Sequence, residues 1–598
     1  MRQAWLHGQN LARSCIAHIR HAAAHAAATL LDSFAAITGF YYSKKYAAIV
    51  QRLGLRSESG ASEEPGIIFI QIDGLSYDLL QQSLEWGRLP LIKRLLSKDG
   101  YCLSPWRCGL PSSTPAAQAG IMFGDNEDIP AFRWYDKNRR TSLVCNLPSV
   151  LALLQGRISR KHPGILTGGA SYVNLFDGDA SSNLFTLSAL QPRHIFEGVR
   201  GLGFVGLFLL NPLRSLNMVY LVLKEYITDV VQRVSARLKG ESYPPFLGVH
   251  PLLRVVSNVI LREIETFAVL VDVYRGVPAI YATYSGYDVL AHHFGVDSMA
   301  ARQAVHDIDH RIGQIYRLTR AHLSRPYVMV VLSDHGETPS QPFAQRFGRS
   351  LGEHISEQLG RSVLLVEHAD GEEQPLAQAR FLLEEMRDVE SHLRPITAGV
   401  VRRIRNLVQR RLTKDRSEAP DWDLSHQCHV VVKSSGSLAH VYFNLTPRRL
   451  DLSEVSAAFP GLIVRLLAHE GIWMIVAREG QQTLVMSREG ILTLDDASGQ
   501  RVEGQNPLLR LAEPDEASLQ VRRVASFPTC GDLMLFGAYD PARDRVICFE
   551  NQWASHGGLG GSQDRPFIIY PKRFGWDLSQ VHNSSDMYPL LAEQRGLT

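Results

Sequence analysis

Four apolar runs rich in β-branched residues end in turns that carry an acid or a histidine. "GIIFIQ" leads into Ile72-Asp73-Gly74, "VPAIYATYSGY" into Asp288, "PYVMVVLS" into Asp334-His335-Gly336, and "DRVICFENQW" towards His556. Near-continuous apolar runs of this length, interleaved with helical periodicities such as Ala300 to His322, predict strands of a mainly parallel sheet buried on both faces. The expected fold class is therefore α/β, a three-layer sandwich. In such sheets the active site lies beyond the carboxyl ends of the strands.

The pattern changes after the third run. Residues from about 370 to 425 are charged and helical, and residues 428 to about 525 alternate short strands with turns, as in "CHVVVKSSGSLAHVYFNL". This predicts a nested α+β insertion domain over 371–525. It leaves a catalytic core of 65–370 and 526–598 and an N-terminal helical segment of 1–64. The fourth run is expected to return to the core sheet.

Two stretches raise the membrane question. Residues 11–36 place Ala12, Cys15, Ile16, Ile19, Ala23, Leu30 and Phe34 at helical spacing, while Arg13, His18, Arg20, His21 and His25 interrupt any signal-peptide core. The segment from Gly201 is strongly apolar but contains Asn211, Pro212, Arg214 and Asn217. It falls short of the roughly 20 apolar residues of a spanning helix. A basic stretch, Arg402, Arg403, Arg405, Arg410, Arg411, Lys414 and Arg416, reads as a solvated face or a contact with anionic headgroups. A cytoplasmic protein, with peripheral contact at the inner face of a membrane as the further option, is the expectation.

Composition narrows the chemistry. A net charge of +3 over 598 residues argues against a specific nucleic-acid binder. Seven cysteines without a C-x-x-C pair give neither a disulfide framework nor a thiolate zinc site.

What remains is an oxygen and nitrogen donor set. Asp73 follows the first run, with Gly74 allowing a sharp turn; taken alone it reads as the cap of the next helix. Asp288 and His292 are four apart and share one helical face. Asp334 and His335 are adjacent at a strand end, and His556 sits in the glycine-rich "ASHGGLGG". "GLPSSTPAAQAG" supplies the hydroxyls Ser112, Ser113 and Thr114 ahead of a small-residue helix, either as a nucleophile near a metal or as a plain N-cap. Three Asp, three His and a hydroxyl match the needs of two divalent ions about 4 Å apart that clamp an in-line phosphoryl displacement. Imidazole and carboxylate without thiolate suit zinc first, with manganese or iron as alternatives.

In this order the motifs resemble the alkaline phosphatase superfamily, in its type I phosphodiesterase/nucleotide pyrophosphatase branch: strand-Asp-Gly, a Thr ten residues before Gly124, Asp-x-x-x-His, Asp-His-Gly and a late His-Gly. The resemblance covers roughly residues 66–345 and 528–575. It implies an alkaline phosphatase-like core and a metal-dependent phosphoric ester hydrolase. It also implies that Asp288, His292 and His556 hold one ion, and that Asp73, Asp334 and His335 hold the other beside Thr114 as nucleophile. Two features depart from the family. Ala117 stands where the family carries an Asn for the phosphoryl oxygen, leaving Gln118, Asn126 or Arg133 as replacements, and no counterpart of the arginine that favours monoesters is evident. Trp134 and Tyr135, in the segment Ile129 to Lys137, either wall the pocket or belong to a packed aromatic loop. Thr114-Pro115-Ala116-Ala117 lacks both the Cys or Ser and the Arg of a sulfatase motif.

The expected activity is phosphodiester hydrolysis through a phosphothreonine, on a small-molecule or lipid-linked substrate. Alternatives are a phosphomonoesterase or phospho-head-group transferase of the same superfamily, or a membrane-associated binding protein with a relic metal site. His306 and His310, four apart on a helix, are read as a solvated face, and His293 is given no role.

Overall fold

The strand Gly66–Ile72 is buried along its whole length, as expected of a parallel strand covered on both faces. The computed structural model of the protein describes residues 64–189, 212–239, 255–320, 323–360, 363–368, 425–495 and 499–597, with a few more between 399 and 406. Gly66–Ile72 lies at the centre of a seven-stranded sheet, between Ala279–Tyr284 and Tyr327–Leu332 and parallel to both. Ala170–Tyr172 and Ser182–Leu184 extend the parallel set on one side. On the other side Phe567–Pro571 runs antiparallel to Tyr327–Leu332, with Tyr101–Pro105 at the edge.

Side chains alternate between two cores. Ile68, Ile70 and Ile72 pack under the helices Arg262–Arg275, Gly286–Phe294 and Met299–Thr319. Ile67 and Phe69 face Thr114–Phe123, Pro148–Ile158 and Met587–Gln594. Helices on both faces of a mainly parallel sheet make the three-layer α/β sandwich that the apolar runs predict.

The fourth run departs from expectation. Arg545–Cys548 forms a strand, but it pairs in parallel with Thr338–Pro342 in a separate four-stranded sheet. The return to the central sheet is made later, by Phe567–Pro571. An apolar run shows that a strand is buried and not which strand it pairs with, so Arg545–Cys548 reads as a core strand although its partner is Thr338–Pro342.

A second large sheet has eight strands, from Leu365–His368 through Val430–Ser435, Leu438–Phe443 and Ile472–Glu479 to Gly499–Gly504, with Leu533–Gly537 between the third and fourth of these. It therefore extends past 371–525 at both ends. The N-terminal helix of 11–36 and most of the charged stretch of 370–424 lie outside the described residues. Of the apolar segment from Gly201, the part from Pro212 belongs to the helix Pro212–Lys239. Among the described residues no helix is long and apolar enough to cross a membrane.

Candidate active site

Three neighbouring strands deliver five of the seven expected ligand-bearing residues. Asp73 directly follows Gly66–Ile72, and Asp334 and His335 follow Tyr327–Leu332 with one residue between. Asp288 lies in the first turn and His292 in the last turn of Gly286–Phe294, the helix that opens after Ala279–Tyr284. Register places Ile72 beside Tyr284 and Gln71 beside Leu332, so the three chain ends emerge at one edge. The fully buried helix Thr114–Phe123 starts with Thr114, carries Pro115 in its first turn, and is stopped by Gly124 at φ 66°. His556 arrives on the turn after Ala554–Ser555.

These residues meet in two overlapping groups. Asp288, His292 and His556 form one, and Asp73, Asp288 and His335 form the other. Asp288 Oδ1 lies 3.4 Å from His292 Nε2 and 3.9 Å from His556 Nε2. His335 Nε2 lies 3.7 Å from Asp73 Oδ1 and 3.6 Å from Asp334 Oδ2. Thr114 Oγ1 completes the second group, 3.2 Å from His335 Nε2 and 3.5 Å from Asp73 Oδ1. Most of these separations exceed a good hydrogen bond. They are close to the ~3.4 Å that separates two ligands of one tetrahedral zinc ion at ~2.0–2.1 Å.

The donor chemistry agrees. Each of the three histidines presents Nδ1 to a backbone carbonyl: His292 to Ala554 at 2.8 Å, His556 to Ser112 at 2.9 Å, and His335 to Gly336 at 3.1 Å. A carbonyl only accepts, so each Nδ1 carries the proton and each Nε2 offers a lone pair to the site. Oxygens of Asp73, Asp288 and Asp334 are buried without a hydrogen-bond partner, as are both oxygens of Glu337. Among the described residues no lysine or arginine pairs with any of these four carboxylates. Such a set is costly unless cations neutralise it, and four negative charges balance two dications. The residues thus fit two divalent ions.

Burial sets the direction of the titrations. Asp73 is pushed well above the ordinary carboxyl range by burial, then by Asp334 and Asp288. Glu337 is pushed well above it by burial, then by Asp288. His556 is held well below the usual imidazole value by burial, then by His335 and His292; its ring stacks on His335 at 3.9 Å. A carboxyl raised on folding stabilises the metal-free fold below its unfolded value near pH 4, and that contribution is lost as pH rises through the folded value. Ions remove the repulsion that causes it. The melting temperature of chelator-treated protein, relative to metal-loaded protein, is therefore expected to drop further at pH 8 than at pH 5. Parallel melting curves at the two pH values would contradict this.

Glu337 was not legible as part of the site. It sits two residues after His335, just before the strand Thr338–Pro342, where an acid ordinarily reads as solvent-facing. Here it is buried, with Oε1 3.1 Å from His292 Nδ1. Its one sequence signal is adjacency to the Asp-His-Gly turn.

Gly74 is required by packing. Its φ is 73°, its N–H reaches Asp334 Oδ1 at 3.3 Å, and a Cβ there would stand 2.8 Å from Asp288 Oδ1. Gly74→Ala adds about 1–3 kcal/mol of backbone strain and displaces the Asp288 carboxylate. Metal content measured after dialysis is expected to fall, with the secondary structure by circular dichroism intact.

The other expected pocket residues are engaged elsewhere. Gln118 bonds Gln71, Thr283 and the Leu175 amide. Asn126 bonds Asn583 and Ser584 behind the Thr114 helix. Arg133 pairs with Glu550 and donates to Ser434 O. Trp134 is buried in the core, and Tyr135 packs edge-on to Tyr442 at 5.8 Å. None of these joins the metal-ligand groups among the described residues. His306 donates to Arg88 O at 2.8 Å, and both His306 and His310 are half-buried.

Residues 231–422 match the sequence profile of the family described as type I phosphodiesterase/nucleotide pyrophosphatase. The resemblance to that family holds. The matched stretch contains Asp288, His292, Asp334 and His335. No curated protein matches the chain. Among solved structures, phosphonoacetate hydrolase from Sinorhizobium meliloti 1021 in complex with phosphonoformate is 13% identical, with 90% of this chain and 96% of that chain covered and a TM-score of 0.43. Murine ectonucleotide pyrophosphatase/phosphodiesterase 5, as an inactive variant in complex with AMP, is 12% identical at 90% and 96% coverage and a TM-score of 0.39. A mutant of the alkaline phosphatase PafA is 11% identical at 90% and 97% coverage, with a TM-score of 0.48.

Proposed function

We propose that the protein is a two-metal phosphohydrolase that prefers phosphodiesters and works through a phosphothreonine. The observation that carries this reading is the position of Thr114 Oγ1, beside Asp73 and His335 at the start of a helix aimed into the carboxylate–imidazole cluster. Asp288, His292 and His556 would hold one divalent ion. Asp73, Asp334 and His335 would hold the other, next to Thr114. From the donor set the ions are zinc, with manganese or iron as substitutes. When bound, they supply Lewis acidity, lowering the pKa of a hydroxyl or water and offsetting charge on the phosphoryl oxygens.

Thr114 supplies the nucleophile. Its oxygen gives up its proton to solvent and forms a bond to phosphorus in line with the ester bond that breaks, while the departing oxygen takes a proton from solvent and leaves as the alcohol. Water then cleaves the phosphothreonine and restores the hydroxyl. The helix dipole of Thr114–Phe123 favours negative charge at this end. Nδ1–H bonds to Ala554, Ser112 and Gly336 keep the three imidazoles oriented throughout.

The testing experiment combines metal quantification with a comparison of bis-p-nitrophenyl and p-nitrophenyl phosphate, each with and without an alcohol acceptor. Faster diester hydrolysis, with about two ions per chain, is expected. Faster monoester hydrolysis would make the protein a phosphomonoesterase. Transfer to the acceptor would make it a transferase, and metal-free protein without turnover a relic.

Peripheral membrane contact has support in the helix Pro212–Lys239, where Leu216, Val219, Leu223, Ile227, Val231 and Val234 are exposed at helical spacing. All six described cysteines are free, which fits a reducing compartment such as the cytoplasm. Co-sedimentation with anionic vesicles at low salt tests the contact, and a lipid-linked substrate would then be the preferred class.

A further inference from the structure

The loop that carries His556 has little of its own to hold it in shape. Four of the six residues from His556 to Gly561 are glycine, the residue that loses most backbone freedom on folding. Yet the loop must present His556 Nε2 to Asp288 Oδ1, 3.9 Å away. Its shape is imposed from outside, chiefly by one side chain.

Gln563 is fully buried, seven residues beyond His556. Its Oε1 accepts from the Gly558 amide at 3.2 Å and from Ser437 Oγ at 2.9 Å. Its Nε2 donates to Leu559 O at 3.0 Å and to Gly560 O at 2.9 Å. The partners fix which end is which, since a backbone N–H only donates and a carbonyl only accepts. Three consecutive residues of the loop thus close around one carboxamide. Ser437 lies in the turn between Val430–Ser435 and Leu438–Phe443, so the same carboxamide ties the loop to the eight-stranded sheet.

The near end of the loop is pinned by Ser112. The Gly557 amide reaches Ser112 O at 2.8 Å and Oγ at 3.0 Å, and Ser112 Oγ donates to Gly558 O at 3.0 Å. A Cβ at Gly558 would stand 2.4 Å from Ser437 Oγ, so no side chain at that position could replace these contacts.

The main chain of Gln563 has a separate attachment. Its carbonyl accepts from the Gly336 amide at 2.9 Å, beside His335 of the other ligand group. That bond belongs to the backbone and does not need the side chain. Among the described residues Gln563 makes no hydrogen bond to a ligand side chain, so its carboxamide acts on the site through the loop alone. We propose that Gln563 is a positioning residue, whose carboxamide holds His556 within reach of Asp288 and His292 and so sets the affinity for the ion of that group. This rests on the two-metal reading of the site.

Zinc affinities of the full-length chain, measured by competition with a chromophoric chelator, test it. Gln563→Leu removes the side chain's hydrogen bonds at comparable volume. It is expected to weaken one ion by about 10- to 100-fold, the range for losing an outer partner of a metal ligand. That ion should be the one that His556→Ala weakens, and the other should be unchanged. Gln563→Glu, which keeps an acceptor for Gly558 and Ser437, should fall between. A double-mutant cycle separates positioning from general support of the fold: in the His556→Ala background, Gln563→Leu should change zinc affinity little. If Gln563→Leu does not fold, as circular dichroism would show, Gln563→Glu and Ser437→Ala carry the measurement, with smaller losses in the same ion. A parent chain that holds two ions, beside variants that bind both as tightly, would overturn this proposal alone. Equal weakening of both ions, or the same loss with and without His556, would also overturn it. A parent chain with fewer than two ions would overturn the two-metal reading and this proposal together.

Discussion

Thr114→Ala is expected to lower turnover by at least about 10³-fold while leaving close to two ions per chain. The hydroxyl lies within 3.5 Å of both His335 Nε2 and Asp73 Oδ1, yet the carboxylates and imidazoles around it do not depend on it for their orientation. His335 is held through Nδ1 by Gly336 O, and Asp334 Oδ1 by the Gly74 amide. Removing the threonine oxygen therefore takes away the proposed nucleophile and little of the metal-binding frame. Thr114→Ser should recover part of the loss, because a primary hydroxyl at the same helix start can still attack. Quenching a reaction with a ³²P-labelled diester should trap label on the parent chain and none on Thr114→Ala. Undiminished hydrolysis by the alanine variant would end the nucleophile assignment.

Asp288→Asn is expected to have the opposite signature, with metal lost first and activity lost as a consequence. Asp288 is the one residue common to both ligand groups. An amide of the same shape keeps the packing against Gly74 but gives up the charge that faces two imidazoles. Metal affinity should fall by more than the ~10–100-fold that follows from disturbing an outer partner of a metal ligand. Glu337→Gln, which touches the site through Asp288 and His292, sets that smaller scale for comparison. Plasma emission analysis after dialysis, together with the melting temperature, separates the two. If Asp288→Asn keeps close to two ions per chain, Asp288 is not a metal ligand.

Much of this arrangement can be read along the chain, for a physical reason. A parallel strand buried on both faces is mostly apolar, with a polar residue such as Gln71 or Thr283 admitted where a partner meets it, so an acid just beyond such a run marks the edge of the sheet. Asp73, Asp288 and Asp334 are conspicuous because they break such runs. His292 follows from Asp288 by helical spacing alone. What cannot be read is pairing. The strand Arg545–Cys548 looks like a core strand, but its partner, Thr338–Pro342, alternates buried and half-buried positions and gives no apolar signal. Arg133 and Asn126 look like free polar groups beside a predicted pocket. Their partners, Glu550 and Asn583, lie more than 400 residues away in sequence. Glu337 is hidden for the converse reason: it is polar in a turn, as turns usually are, and only tertiary packing buries it.

The two histidines at opposite ends of the catalytic half are cross-braced. His292 leans on the carbonyl of Ala554, and His556 leans on that of Ser112. The turn between Val430–Ser435 and Leu438–Phe443 presses on the same loop: Gly436, at φ 67°, has no room for a side chain against His556 O. During synthesis, then, a ribosome that has released Asp73, Asp288, His292, Asp334 and His335 has supplied one of the two groups in full and two of the three residues of the other. His556, and the Ala554 carbonyl that orients His292, come last. Uptake of a full complement of metal would thus mark a finished molecule, and chains cut short before residue 556 would lack the group of Asp288, His292 and His556.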